Sequence, residues 1–303
     1  MQEEYEIYGG FASVYDEFMD NIPYDAWYEY LHGLLKEYGM SDGIVVDIAC
    51  GTGEITRRLS QDGYDMIGID ISKDMLNIAR QKCDPDVLLL CQDMRQMDLY
   101  GTAKAMVCLC DGMNYLCRKE DLLQTLQRVR LFMDHGGIFI FDMKTPHFYQ
   151  DILGDRTITD NREDASYIWE NSYDRDTRIN EYFLTVYELA DEERDLFVRT
   201  DEVHRQKAYM EEEVKKAIEE SGMQCMAVYI AFTKDAPDKH PFCILPDFYG
   251  MHFLSCLTFI EYIFSFAYSY ILLQYIPFSL NNPSILYELR NTSSVSVYPV
   301  HLW

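Results

Sequence analysis

Between residues 43 and 142, short continuous apolar runs alternate with amphipathic stretches. The runs at 43–48, 66–70, 87–91, 105–110 and 137–142 predict strands. The stretches at 54–59, 73–81 and 121–132 carry apolar positions at three- and four-residue spacing and predict helices. The runs lack the in-and-out alternation of a half-solvated sheet, so both faces are expected to be covered by helices. The alternation predicts an α/β fold: a Rossmann-like, doubly wound, mostly parallel sheet with helices on both faces. Ahead of it, Phe11, Tyr15, Phe18 and Met19, then Trp27, Leu31, Leu34 and Leu35, recur at helical spacing within the first 40 residues. After Pro146 the pattern changes. Segments 166–173, 179–189 and 195–204 are aromatic and β-branched with polar turns between them, which predicts a small antiparallel β insertion after the fifth strand. A helix over 210–220 follows, with Glu211, Glu212 and Glu213 in its first turn where the dipole favours acids, and then a strand over 224–232.

This reading divides the chain into a ligand-binding domain of residues 1–145 and 206–240, an inserted lid-like subdomain of residues 146–205, and a tail of residues 241–303. The tail is a different kind of sequence. Residues 244–303 hold only four charged side chains, Asp247, Glu261, Glu288 and Arg290. Segment 252–280 is long enough to span a bilayer, but Glu261 is costly at depth and no basic cluster flanks it. Three readings stand for the tail: an aberrant reading frame, a genuine hydrophobic anchor or docking segment, and unusual core or oligomer-forming structure. Membrane contact follows only from a genuine tail, and the sequence does not give the oligomeric state.

Composition narrows the partners. Lys+Arg 26 against Asp+Glu 51 gives a formal charge of −25 over 303 residues. So acidic a chain has no sequence-wide attraction to phosphate backbones, so a small molecule is expected and nucleic acid is not. The nine cysteines are odd in number and include no C-x-x-C pair, which argues against zinc sites and disulfide frameworks and for reduced thiols. The histidines form no metal-binding cluster. The acidic N-terminus lacks a basic region followed by an apolar stretch, so no export signal is expected and the location is expected to be cytoplasmic.

The chemistry concentrates at the strand ends. In Val45-Val46-Asp47-Ile48-Ala49-Cys50-Gly51-Thr52-Gly53-Glu54, a buried strand carries an acid and leads into a Gly-x-Gly turn that opens a helix. Such glycines let backbone approach a ligand closely, and the helix N-terminus offers unpaired N–H groups. Dinucleotide sites usually want a third glycine, where Thr56 stands here. The second strand ends at Asp70, placed to accept hydrogen bonds from a ribose diol. The third leads into Gln92-Asp93-Met94, where an acid suits an adenine amine, and the fourth ends at Cys110-Asp111. A single acid at such a place is more often a helix cap or loop charge. A series at successive strand ends reads as one ligand site.

These residues resemble the class I S-adenosylmethionine-dependent methyltransferases through Asp47-x-x-x-Gly51-Thr52-Gly53, Asp70-Ile71 and Asp93-Met94. The similarity is greatest to the small bacterial YqeM-like group, through Tyr8-Gly9-Gly10-Phe11-Ala12-x-x-Tyr15-Asp16 and Cys110-Asp111-Gly112-Met113-Asn114-Tyr115-Leu116, and covers roughly residues 5–240. The resemblance implies S-adenosylmethionine as cofactor, its motifs being specific to the cofactor and not to the acceptor, and the acidic charge points to a small-molecule methyl acceptor. It implies that Asp47 holds the methionine amino group, that Gly51 and Gly53 pass close to its carboxylate, and that Asp70 binds the ribose. It also places Ile71 on the adenine face, Asp93 and Met94 at the adenine edge, and Cys110 at the methionine end. Ile48, Ala49, Cys50 and Met75 belong to the same implied set; Tyr8 and Tyr15 are read either as covering the cofactor or as core aromatics. Candidate general bases are His204, Asp111, Tyr115 and Tyr209, although a histidine in a strand-to-helix connection is usually solvated or capping. Relatives of this group continue after Asp238-Lys239-His240 with a charged strand that completes the sheet. Here Pro241-Phe242-Cys243-Ile244-Leu245-Pro246 follow, and prolines remove strand donors, so loss of that strand is expected. The alternatives are a nicotinamide-dependent oxidoreductase on a similar sheet and a non-catalytic S-adenosylmethionine-binding module.

Overall fold

The five apolar runs form the centre of a seven-stranded sheet. The computed structural model describes residues 8–234 and the backbone of 243–247. The strands are β1 (Ile44–Ile48), β2 (Asp65–Asp70), β3 (Leu88–Cys91), β4 (Ala103–Cys108) and β5 (Met133–Asp142), with β10 (Gln224–Tyr229) and β11 (Cys243–Asp247) at one end. Their order is β10-β11-β5-β4-β1-β2-β3. β1 pairs in parallel with β2, from Ile44↔Asp65 to Ile48↔Ile69, and on its other side with β4, Val45↔Ala105 to Asp47↔Val107. The chain therefore winds outward from β1 through β2 to β3 and then crosses back to β4. That reversal opens a crevice beyond the carboxyl ends of β1 and β4, the position at which open α/β sheets bind ligands.

Helices α3 (Glu54–Gln61), α4 (Lys73–Lys82), α5 (Lys119–Leu131) and α6 (Glu211–Glu220) accompany the sheet. α2 (Tyr24–Glu37) buries Trp27, Leu31, Leu34 and Leu35 in the same core as Val45, Val46 and Ile48. α1 (Ala12–Phe18) does not. Its Phe11, Val14 and Phe18 pack instead on Ala165, Leu184 and Val186 of a second sheet.

That second sheet is an antiparallel meander of β6 (Thr157–Asn161), β7 (Ala165–Asp174), β8 (Ile179–Asp191) and β9 (Leu196–Lys207). β6 is an addition to the three strands predicted: it is a short polar edge strand with no apolar run to announce it. β9 runs three residues past the predicted end, so His204 sits inside a strand, opposite Tyr182, and not in a connection.

The expectation of a missing antiparallel strand is corrected by β11. It pairs antiparallel with β10, from Gln224↔Asp247 to Tyr229↔Cys243, and with β5 at Cys243↔Asp142 and Ile244↔Phe141. Proline is accommodated because Pro246 lies beyond the β5 pairing, and the β10 ladder shifts register between Cys225 and Ala227, next to its partner. Segment 252–280, on which the membrane alternative turns, lies outside the described residues, as does most of the tail on which the other two readings turn. Among the described residues no helix is long and apolar enough to cross a membrane, and no group of three His, Cys, Asp or Glu side chains is placed to hold a metal.

Candidate active site

A cavity of about 1110 Å³ opens at the carboxyl ends of β1, β2 and β4. Ligand sites usually measure about 300–1,000 Å³, so this one has room for more than a single small molecule. Three kinds of wall enclose it: strand tips, the N-terminal segment, and β8 and β9 of the second sheet.

At the tip of β1, Asp47 is 3% exposed and its Oδ2 accepts from Thr56 Oγ1 at 2.6 Å. Burial pushes its carboxyl up to about 7, with the Asp70 charge adding and the Thr56 hydrogen bond opposing. Thr56, standing where a dinucleotide fold has glycine, thus serves the acid. At the tip of β2, Asp70 accepts from the backbone N–H of Gly51 at 2.9 Å and of Ser72 at 2.8 Å, tying the glycine turn to the second strand. Burial raises its pKa despite those two bonds.

The two glycines of the turn have different reasons. Gly51 is left-handed at φ 54°, and a Cβ there would meet nothing within 4 Å, so the turn leaves open space beside its backbone. Gly53 does not line the cavity. A Cβ there would come within 2.9 Å of Cys83 Sγ and 3.0 Å of Ala79 Cβ, so this glycine serves the packing of α3 on α4. Ile48 is likewise turned into the core. Ala49, Cys50, Met75, Met94 and Cys110 face the cavity. Ile71 stands at its rim, 57% exposed. Asp93 also faces the cavity but caps the turn after β3, accepting from Arg95 N at 2.8 Å and pairing with the Arg95 guanidinium. Burial pushes this carboxyl up, and the Arg95 hydrogen bonds overcome that and hold it below the ordinary value.

The N-terminal segment is pinned from two sides. Asp16 of α1 accepts from Thr52 Oγ1 at 2.6 Å and from Lys82 Nζ at 2.7 Å. On the other side, Glu202 of β9, 1% exposed, accepts from the backbone N–H of Tyr8, Gly10 and Phe11 at 3.0, 2.9 and 3.0 Å. This brings Tyr8 and Tyr15 against the cavity. Tyr8 Oη lies 2.6 Å from Tyr115 Oη, Tyr115 Oη lies 3.1 Å from His204 Nδ1, and His204 Nε2 lies 2.9 Å from Glu202 Oε2. Burial raises both phenols well above their ordinary pKa. Burial also pushes Glu202 up, but the His204 hydrogen bond and the backbone donors prevail and hold it below the usual range.

Sequence residues 45–137 match a family described as a methyltransferase domain. The chain is 36% identical over 234 residues to the putative methyltransferase YqeM of Bacillus subtilis (strain 168), covering 76% of this chain and 92% of that one. The chain belongs to the class I S-adenosylmethionine-dependent methyltransferases. This methyltransferase is also 32% identical over 138 residues to the glycine/sarcosine N-methyltransferase of Parasynechococcus marenigrum (strain WH8102), covering 44% of this chain and 48% of that one. Its fold is shared with the crystal structure of an S-adenosylmethionine-dependent methyltransferase from Clostridium acetobutylicum ATCC 824, with a TM-score of 0.70, 23% identity, and coverage of 80% and 98%.

The methyltransferase uses S-adenosylmethionine, and the residues present fit it. Buried carboxylates on β1 and β2 suit a ligand bearing ammonium and sulfonium charge, and Ile71 suits its base. The candidate bases separate. Tyr115 lines the cavity, whereas His204, 3% exposed, stands behind it. Asp111 is turned away: its carboxylate pairs with buried Lys144, and its N–H donates to Asp142 Oδ1 at 3.1 Å. These contacts hold the left-handed, non-glycine Cys110 and Asp111 at the exit of β4. Tyr209 donates to Leu116 O at 2.6 Å, well inside the core. Glu181, Val203 and Arg205 complete the outer wall, with Arg205 Nε 2.7 Å from Glu181 Oε2. Neither these three nor Glu202 carries a sequence motif.

Proposed function

We propose that this methyltransferase methylates a small molecule bearing an N–H or O–H group, admitted beside the cofactor between Tyr115 and the β8–β9 face of the second sheet. The observation that carries the reading is that one cavity joins the strand-tip carboxylates Asp47 and Asp70 to the phenols of Tyr8 and Tyr115, in a volume larger than one small ligand needs. The similarity to a glycine/sarcosine N-methyltransferase supports a small acceptor, as does the net charge of −25.

In this reading the bound cofactor supplies a methyl group on a sulfonium, already an excellent leaving group. The chain's own work is positioning, which can supply most of the rate. Asp47 holds the amino end, the Gly51 turn lies beside the carboxylate, and Asp70 accepts from the ribose diol. Ile71 covers the base, and Met94 and Asp93 lie at its edge, where Asp93 shares its oxygens with Arg95. Tyr8 and Tyr15 roof the site and exclude water. The second sheet acts as the acceptor's wall, its Glu181–Arg205 pair being half-exposed and open to exchange for ligand charges.

Calorimetry with S-adenosylmethionine and S-adenosylhomocysteine tests the first half, and S-adenosylhomocysteine accumulation with a fractionated metabolite pool tests the second. Cofactor binding with no product from any fraction would leave a binding module in place of an enzyme. Tight NADH binding with no effect of S-adenosylhomocysteine would overturn the site assignment altogether.

A further inference from the structure

Four side chains from three distant parts of the chain form one unbroken hydrogen-bond line from the cavity into the protein: Tyr8, Tyr115, His204 and Glu202. The direction of the donors along it follows from chemistry. Glu202 accepts three backbone N–H groups and is a carboxylate, which has nothing to donate. The proton between Glu202 Oε2 and His204 Nε2, 2.9 Å apart, therefore belongs to the imidazole. In the neutral ring that leaves Nδ1 as an acceptor, so Tyr115 donates to it across 3.1 Å. Tyr115 has spent its proton on His204, so Tyr8 donates to Tyr115 across 2.6 Å. Tyr8 Oη is then left as an acceptor at the cavity end of the line.

We propose that Tyr8–Tyr115–His204–Glu202 is the proton outlet of the methyl-transfer site, with the Tyr8 hydroxyl taking the acceptor's proton, Tyr115 beside it on the cavity wall, and His204 and Glu202 acting behind them. As the acceptor's lone pair forms its bond to the methyl carbon, the methyl–sulfur pair is released to sulfur. The acceptor's own N–H or O–H proton passes to Tyr8 Oη. The Tyr8 proton passes to Tyr115 Oη, and the Tyr115 proton to His204 Nδ1. The line ends as an imidazolium facing the Glu202 carboxylate, with both phenols neutral again and no charge left unpaired. Tyr8 is a catalytic residue in this account; Tyr115 and His204 relay, and Glu202 is the positioning residue. Glu202 acts twice, because the same carboxylate that orients the imidazole also fixes the Tyr8 backbone at 3.0 Å. The Tyr8 ring centroid lies 4.8 Å from that of His204, edge to face, so the first and third members of the line are held against each other. The outlet suits protic nitrogen and oxygen nucleophiles and gives a thioether or an aprotic carbon nothing to use. It rests on the methyl-transfer reading only for the source of the proton.

The test begins with the full chain labelled with 15N-histidine, whose ring-nitrogen shifts report the tautomer without any acceptor. His204 is expected as the Nε2–H tautomer near neutral pH, and Tyr115→Phe is expected to move the Nδ1 resonance of that one histidine. A Nδ1–H tautomer, or a Nδ1 shift indifferent to Tyr115→Phe, overturns the line. In turnover of any fraction that yields S-adenosylhomocysteine, Tyr115→Phe keeps the ring and removes the proton. It is expected to lower kcat at least tenfold while changing the KM for S-adenosylmethionine less than threefold. An unchanged kcat overturns the outlet. Failure of the cofactor to bind at all would strike the functional reading instead, and calorimetry reports that separately.

Discussion

Asp47→Asn removes a carboxyl that burial, helped by the Asp70 charge and opposed by Thr56, holds at about 7. With that value, about half of the molecules carry a proton there at pH 7. An ammonium group seated against Asp47 favours the carboxylate, so binding S-adenosylmethionine at pH 7 should expel about half a proton per site. Its apparent affinity should fall about tenfold for each pH unit once the pH drops below about 6. Calorimetry in buffers of different ionisation enthalpy counts that proton directly, and Asp47→Asn should abolish the count along with most of the affinity. The same carboxyl sets the sign of a stability effect. Its folded value of about 7 lies above the ordinary 3.8, so the folded state holds more protons than the unfolded chain between about pH 4 and pH 7. Its stability contribution is therefore intact at the acid end and is lost as pH rises through that window. The gap corresponds to about 4 kcal/mol at about 1.4 kcal/mol per tenfold. The amide introduced by Asp47→Asn keeps the shape and an acceptor for Thr56 without the buried charge. The variant should thus unfold at higher urea than the wild type at pH 8 and at similar urea at pH 4. A binding enthalpy indifferent to buffer at pH 7, together with wild-type urea midpoints for the variant at pH 8, would refute this account of the β1 tip.

Asp70→Ala should weaken S-adenosylmethionine binding at least tenfold, about 1.4 kcal/mol. It also strands the Gly51 and Ser72 N–H groups, at about 1–3 kcal/mol each; wild-type affinity in calorimetry would remove Asp70 from the site. Gly112→Ala would place a Cβ 2.6 Å from Cys108 Sγ and 2.9 Å from Ala49 Cβ, so a loss of about 1–3 kcal/mol of stability, seen as a lower urea midpoint, is expected. An unchanged midpoint would mean that the exit of β4 gives way easily. Asp16→Ala cuts the ties to Thr52 and Lys82. Because Asp16 is partly exposed, it should cost no more than about 1 kcal/mol globally, while hydrogen exchange quickens in residues 12–18; unchanged exchange there would show that Glu202 alone pins the segment.

What was legible in the sequence is what neighbouring residues decide among themselves. Asp47, Gly51, Asp70 and Asp93 could be read at strand ends because the apolar runs before them are continuous and the turns after them are short. The packing of Gly53 against α4 and of the Ile48 side chain in the core could not be read in the same way, because neither is a local property. β9 shows the harder failure. Period-two reasoning puts apolar side chains inward, yet the buried positions at its end are Glu202, His204 and Gln206, alternating with the more exposed Val203 and Arg205. Each polar group is satisfied by a distant partner. Glu202 takes N–H groups 191 to 194 residues away, and Gln206 Oε1 accepts from Tyr149 and Tyr182. No window of sequence contains both ends of such a bond. β11 was misread for a related reason: proline forbids a donor at one position, but whether a donor is needed there depends on which strands lie alongside.

The two halves of the cavity therefore differ in how they are encoded. The cofactor half is a run of strand–turn–helix units in chain order, each continuous in the sequence, as in residues 44–61 and 65–82, and so is readable from neighbouring residues. The other half is assembled at long range, from an N-terminal segment, the exit of β4 and an inserted sheet. Its polar face at the end of β9 has hydrogen-bond partners on both sides. Burying a carboxylate, an imidazole and an amide on one strand is costly unless every one finds a partner, and a core of aliphatic side chains would serve stability alone at less cost. That the partners of Glu202 and His204 run straight to the cavity through Tyr115 and Tyr8 gives this arrangement a chemical reason that packing does not supply. It also means that the acceptor's identity has to be sought in the contacts of the second sheet, where the sequence patterns of the cofactor half carry no information.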